Sequence, residues 1–142
     1  REFTPTVFPT GDDIDPDEAT IAGLFLLAQS LVGAPDRKLA DSLLAKGAQG
    51  NNPISARMIA VASRGLSPRE KFHLLDKAAR LGDMRSIYCL TKFLGENQPE
   101  DLGLSKTEHF TRMEEVSACA SNLPMKELGD GGCVGPIIGL FL

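Results

Sequence analysis

The sequence predicts an all-α chain, a short α-solenoid of antiparallel helix pairs with about six to seven helices. Three observations carry that expectation. Helix starts at Asp36, Ser67 and Ser105 are spaced by 31 and 38 residues, a period that belongs to stacked helix pairs. Two of those starts, Ser67-Pro68-Arg69-Glu70 and Ser105-Lys106-Thr107-Glu108, are S-x-x-E capping boxes, in which serine and glutamate satisfy each other's backbone N–H groups. The stretch Lys77–Glu96, KAARLGDMRSIYCLTKFLGE, reads as two helices meeting at a tight corner.

At that corner Ala78 and Ala79 let backbones approach closely. Gly82 can take the left-handed conformation that ends the first helix. Asp83 stands where a carboxylate caps the next helix. Ser86, Leu90 and Phe93 then follow at helical spacing and face back onto the first helix. The A-A-x-x-G core, with a small residue four further on and then leucine and an aromatic, resembles the Sel-one-like repeat, a relative of the tetratricopeptide repeat. The departures are Ser86 where that family usually has alanine, Thr91 where it often has glycine, and no G-x-G-V after Phe93. The resemblance covers about residues 37–142. It implies a scaffold that holds other proteins and does no chemistry, with Ala78, Ala79, Gly82, Ser86, Leu90 and Phe93 as repeat positions.

In chain order, residues 1–16 hold three prolines (Pro5, Pro9 and Pro16) and the acidic cluster Asp12, Asp13, Asp15, which predicts an extended arm. Asp17 and Glu18 suit the first turn of a helix over about 17–33, whose run Ala19–Val32 carries no charge. That run is too short to span a bilayer and reads as a buried helix packing on the next one. Gly33-Ala34-Pro35 stops it. Asp36 caps a second helix through Ala48, with Leu39, Leu43 and Leu44 on one face. Gly47, Gly50 and Asn51-Asn52 break it.

Pro53 opens a third helix through Arg64, closed by Gly65. The fourth runs from Ser67 to about Leu81 and the fifth from Asp83 to about Leu94. A loop over 96–104 leads to the sixth, from Ser105 to about Ala120. Leu128-Gly129-Asp130 then repeats Leu81-Gly82-Asp83. The units expected are therefore 37–66, 67–104 and 105–142, stacked as a small right-handed superhelix. In the first, Gly47-Ala48 replaces the alanine pair and the corner is offset by one residue. In the third, Pro136 interrupts the back helix. Phe72 and Phe110 match at the spacing of 38.

Composition bounds the function. Of 142 residues 42% are apolar and 24% charged, ordinary for a folded domain. With no tryptophan and one tyrosine, base-stacking and sugar-binding platforms are disfavoured. Cys89, Cys119 and Cys133 are spaced without a disulfide framework or zinc pattern, so reduced thiols are expected. His73 and His109, in equivalent helices, have no ligand spacing on one helix and read as surface or packing residues. Cys89 sits in an apolar stretch, where a thiol is inert. The glycine-rich run 129–139 fails the phosphate-loop templates. No catalytic residue, metal ligand or cofactor site is expected.

Charge is asymmetric. From Arg37 to Lys92 there are 11 Lys/Arg and 4 Asp/Glu, whereas the flanks hold 4 and 15. Arg57 and Arg64 are seven apart on one helix; Arg69, Lys77 and Arg80 share the next; Arg85 and Lys92 are seven apart on the third. Arg57, Arg64, Arg69, Arg80, Arg85 and Lys92 are thus read as basic stripes off the apolar faces, either solvated or matched to an acidic protein partner. RNA is the alternative partner, which the acidic flanks oppose. The expected function is a non-catalytic protein–protein scaffold or adaptor, a subunit of a larger assembly. It is expected to be intracellular and without a membrane span. An organelle reached after presequence removal is one reading of a chain that begins at Arg1.

Overall fold

The computed structural model describes residues 14–29, 37–63 and 65–122, and within them the chain is all-α. Helices α1 (Pro16–Gln29), α2 (Arg37–Gln49), α3 (Pro53–Ala62), α4 (Pro68–Arg80) and α5 (Met84–Glu96) follow one another. A single 3-10 turn, Pro99–Leu102, precedes α6 (Lys106–Ala120). Each helix packs chiefly on its neighbours in sequence, which gives a solenoid-like stack. No described helix is long and apolar enough to cross a membrane. The arm over 1–13, Asp36, Arg64, the expected third back helix and the tail from Cys133 lie outside the described residues.

The helix starts are set locally. Asp15 caps α1, its Oδ2 accepting from the N–H groups of Asp17 (3.1 Å) and Glu18 (3.2 Å). Ile14, one residue earlier, packs with Ala19 in the manner of a hydrophobic staple. Both capping boxes form as the sequence predicts, at Ser67/Glu70 and Ser105/Glu108. Asn52 caps α3 by accepting from Ile54 and Ser55 N–H, and Asp83 caps α5 by accepting from Ser86 N–H at 3.0 Å.

The two corners of the stack share one geometry. Moving 31 residues along the chain carries Gly47 to Ala78, Ala48 to Ala79, Asn51 to Gly82, Asn52 to Asp83 and Ser55 to Ser86. Asn51 N–H donates to Ala48 O (3.1 Å) as Gly82 N–H does to Ala79 O (3.0 Å). Asn52 N–H donates to Gly47 O (2.9 Å) as Asp83 N–H does to Ala78 O (3.2 Å). Asn51 (φ 66°) and Gly82 (φ 91°) both have positive φ, the left-handed reversal that releases the chain from a helix. The one-residue offset expected in the first unit is therefore absent. Asparagine, which tolerates this backbone through local hydrogen bonding, stands in register for glycine.

Gly47 does not break α2 either. It lies inside the helix, and a Cβ there would collide with the hydroxyls of Thr20 and Ser55. Those two hydroxyls share a buried hydrogen bond of 2.7 Å joining α1 to α3 across the glycine. Close approach, not chain reversal, is what this glycine permits.

The apolar residues divide into linked clusters. Leu24, Leu27, Ala28, Leu44 and Met58 join α1, α2 and α3, as expected of the uncharged run. Ala48, Ala56 and Ala78 form the thin joint between successive helix pairs. Phe72, Leu75, Ala79, Cys89, Leu90, Leu94, Leu102 and Val116 make the largest cluster. Leu102 enters it from the 3-10 turn, where the sequence predicts only a loop; Pro99 at the first helical position favours that turn.

Two other expectations fail. Phe72 is buried, whereas Phe110 is 62% exposed, so the capping boxes repeat at 38 residues but the buried positions do not. In α6 the buried residues are instead Val116 and Ala120, and Met113 packs partly buried against the cluster that holds Val116. Cys89 is disulfide-bonded rather than reduced, and Cys119 is a free thiol on an exposed face of α6.

Candidate interaction surface

A groove runs between α4 and α6 among the described residues. It encloses about 380 Å³ between His73, Asp76 and Arg80 on one wall and Thr107, Thr111, Arg112 and Glu115 on the other. Phe72 and Leu104 form the apolar part of its lining. The position of these residues follows from the capping boxes, because Ser67 and Ser105 set the starts of both wall helices.

A chain of charges crosses this groove. Asp76 accepts from Arg80 Nε through Oδ2 (2.9 Å) on its own helix and from Arg112 Nε through Oδ1 (2.6 Å) on α6. Arg112 also meets Glu115 at 3.7 Å. The Arg112 and Asp76 side chains are largely buried, while that of Arg80 remains 62% exposed. The hydrogen bond from Arg80 to Asp76, together with its charge, raises the guanidinium above its ordinary value. His73 lies exposed beside Phe72, ring centroids 5.5 Å apart.

The basic residues singled out in the sequence do not form three solvated stripes. Arg57 is only 4% exposed and donates from Nε to Asp83 Oδ2 at 2.9 Å, locking α3 to the start of α5. Burial pushes its guanidinium below the ordinary value, against the pull of Asp83. The sequence misplaces it because position 57 reads as polar between apolar neighbours, and nothing local reveals an acceptor 26 residues away. Arg69 is exposed at the start of α4 and lies against Gly103 of the 3-10 turn. Arg80 joins the groove network. Arg85 and Lys92 are half-buried and each is engaged by a neighbouring group. Arg64 is outside the described residues. Only Arg80 of this set lines the groove.

Lys77 has a different place again, donating from Nζ to Ala48 O at 2.7 Å. It is a second donor to a carbonyl at the C-terminus of α2 that also accepts from Asn51 N–H, and a cation there complements the helix dipole. His109 does similar work on α5. Its Nε2 lies 2.9 Å from Leu94 O and 3.2 Å from Asn97 O. Both partners are carbonyls, so Nε2 carries the proton and donates. Both histidines thus serve surface and packing roles.

The six repeat positions behave as a corner should. Ala78, Ala79, Ser86 and Leu90 are buried, Gly82 is left-handed, and Phe93 packs partly buried against the main cluster. The groove residues Asp76, Thr107, Thr111, Arg112 and Glu115 escape sequence reasoning, because their relation depends on α4 and α6 being brought side by side. The one local signal is the pair of serine boxes. No family model matches the chain, and no curated protein or solved structure matches it at a significant level.

Proposed function

We propose that this chain is a non-catalytic scaffold that holds a protein partner within a larger assembly. The observation that carries the reading is the in-register corner at Asn51 and Gly82, with its repeated hydrogen bonds and caps. A chain built by repeating one hairpin extends a surface rather than enclosing a site, and its polar groups serve to hold unit on unit. Arg57, Asp83, Lys77 and His109 are all employed in that way. The charged walls of the α4–α6 groove supply the polar contacts that orient a partner, and an acidic segment would meet the exposed guanidinium of Arg80.

The test is affinity capture from a native extract followed by crosslinking, with the unsubstituted chain and with Thr107→Arg/Thr111→Arg. Both threonines are exposed, so the double change fills the groove while leaving the helix face toward α5 alone. A stoichiometric partner lost only by the variant supports the reading. Equal capture by both chains removes the groove from it. Capture abolished by ribonuclease, with a steep salt slope, replaces the protein partner with RNA.

A further inference from the structure

We infer that Asp76 and Arg112 form a clasp that sets the width of the α4–α6 groove. α4 and α6 have no broad contact of their own; each packs instead on α5 and the 3-10 turn. The Arg112–Asp76 pair, 2.6 Å long and joining residues 36 apart, is a direct side-chain bridge between the two walls. Asp76 is held in place for this task because Arg80 occupies its other oxygen from one turn away. Glu115, one turn beyond Arg112, holds the far side of the same guanidinium. The four groups therefore form a continuous charge chain, Arg80–Asp76–Arg112–Glu115, running from one wall to the other.

The remaining support of α6 is of three kinds, one of them directional: in its first turn His109 Nε2 donates to Leu94 O (2.9 Å) and Asn97 O (3.2 Å) at the end of α5. Val116 and Met113 belong to the apolar cluster under α5, which resists separation but, being non-directional, tolerates rotation. The 3-10 turn ends at Gly103, which has φ 73° and carries no side chain of its own. Arg69 rests against that glycine from the start of α4. With the first turn of α6 held on α5 by His109, the charge-assisted bond at Arg112, one turn further on, is what fixes how the helix leans toward α4. Releasing it lets the walls part without unfolding either helix. This inference concerns the groove's geometry and does not depend on what the groove binds.

The experiment places spin labels at His73→Cys and Glu114→Cys, both exposed and outside the clasp, in a Cys119→Ser background. Pulsed dipolar spectroscopy then reads the distance between α4 and α6. The expected result is a narrow distribution with the clasp intact. Arg112→Met and Asp76→Asn should each give a longer, broader one, and the double variant should add nothing further, since both remove one bond. Helical circular dichroism checks that the variants remain folded. An unchanged distribution in a folded Asp76→Asn or Arg112→Met protein overturns the clasp. Should neither variant fold, the unsubstituted labelled protein is read across rising salt. Broadening there supports an ionic hold, and a constant distance overturns it in favour of apolar packing.

Discussion

Arg57 and Asp83 join the two helix pairs through a single carboxylate oxygen: Asp83 Oδ2 receives Arg57 Nε at 2.9 Å and the N–H of Ser86 at 3.0 Å. One atom is at once the cap of α5 and the acceptor for a nearly buried cation. Ser86 Oγ donates to it as well. The link between units and the start of a helix are thus the same structural event.

Removing Arg57 leaves that carboxylate with its cap bonds but without its counter-charge. Arg57→Met is expected to destabilise the chain by about 3 kcal/mol, within the usual range for breaking a buried pair. Arg57→Met with Asp83→Ser keeps a capping oxygen and removes the charge, so it should recover much of the loss. Urea denaturation of the two variants decides it; equal losses would show that the pair contributes little beyond the cap.

Gly82 offers a separate test of the corner. A Cβ there meets nothing within 4 Å, so any penalty comes from backbone conformation alone. Gly82→Val should cost on the order of 1–2 kcal/mol. Gly82→Asn should cost less, because asparagine already holds the equivalent place at Asn51. Thermal melts of both variants give the order, and a Val variant as stable as the parent contradicts the corner.

At Gly47 the penalty has the opposite origin. Gly47→Ala should improve helix propensity yet destabilise the α1–α2–α3 joint by about 1–3 kcal/mol, since the methyl group enters the space of the Thr20 and Ser55 hydroxyls. Adding Thr20→Ala and Ser55→Ala removes both partners of the buried bond together and opens room, so stability should partly return. Chemical denaturation of the single and triple variants measures it.

The two capping boxes predict the acid side of the stability curve. Glu70 and Glu108 are held below the ordinary glutamate range, first by the backbone N–H of Ser67 and Ser105 and then by their hydroxyls. A carboxyl with a lowered pKa in the folded state contributes stability above its unfolded pKa, roughly 4.3. That contribution is lost as pH falls through the folded value. Glu70→Gln/Glu108→Gln keeps an acceptor oxygen at each cap but does not titrate. The double variant should therefore show a flatter loss of stability below about pH 4.3 than the parent. Parallel acid limbs would mean that other carboxylates govern acid unfolding.

Much of this chain is legible from short windows because its determinants are local. A serine three residues before a glutamate, or an Ala-Ala pair before glycine and aspartate, brings its hydrogen-bond partners with it. Ser67/Glu70, Ser105/Glu108 and the Gly82–Asp83 corner could therefore be read without knowing what lies beside them, as could the all-α class. Asn51 was harder to read, since asparagine is a common loop residue and its left-handed role emerges only when the 31-residue register is laid over α4–α5. The tertiary structure alone decided which charges face water. Arg57 and Arg80 look alike in sequence, yet one is buried against Asp83 and the other stands in solvent beside Asp76. Phe72 and Phe110 occupy matching steps after their capping boxes, yet only Phe72 is covered. Burial and charge pairing depend on which helix arrives alongside, and for Arg112 and Asp76 that neighbour lies 36 residues away.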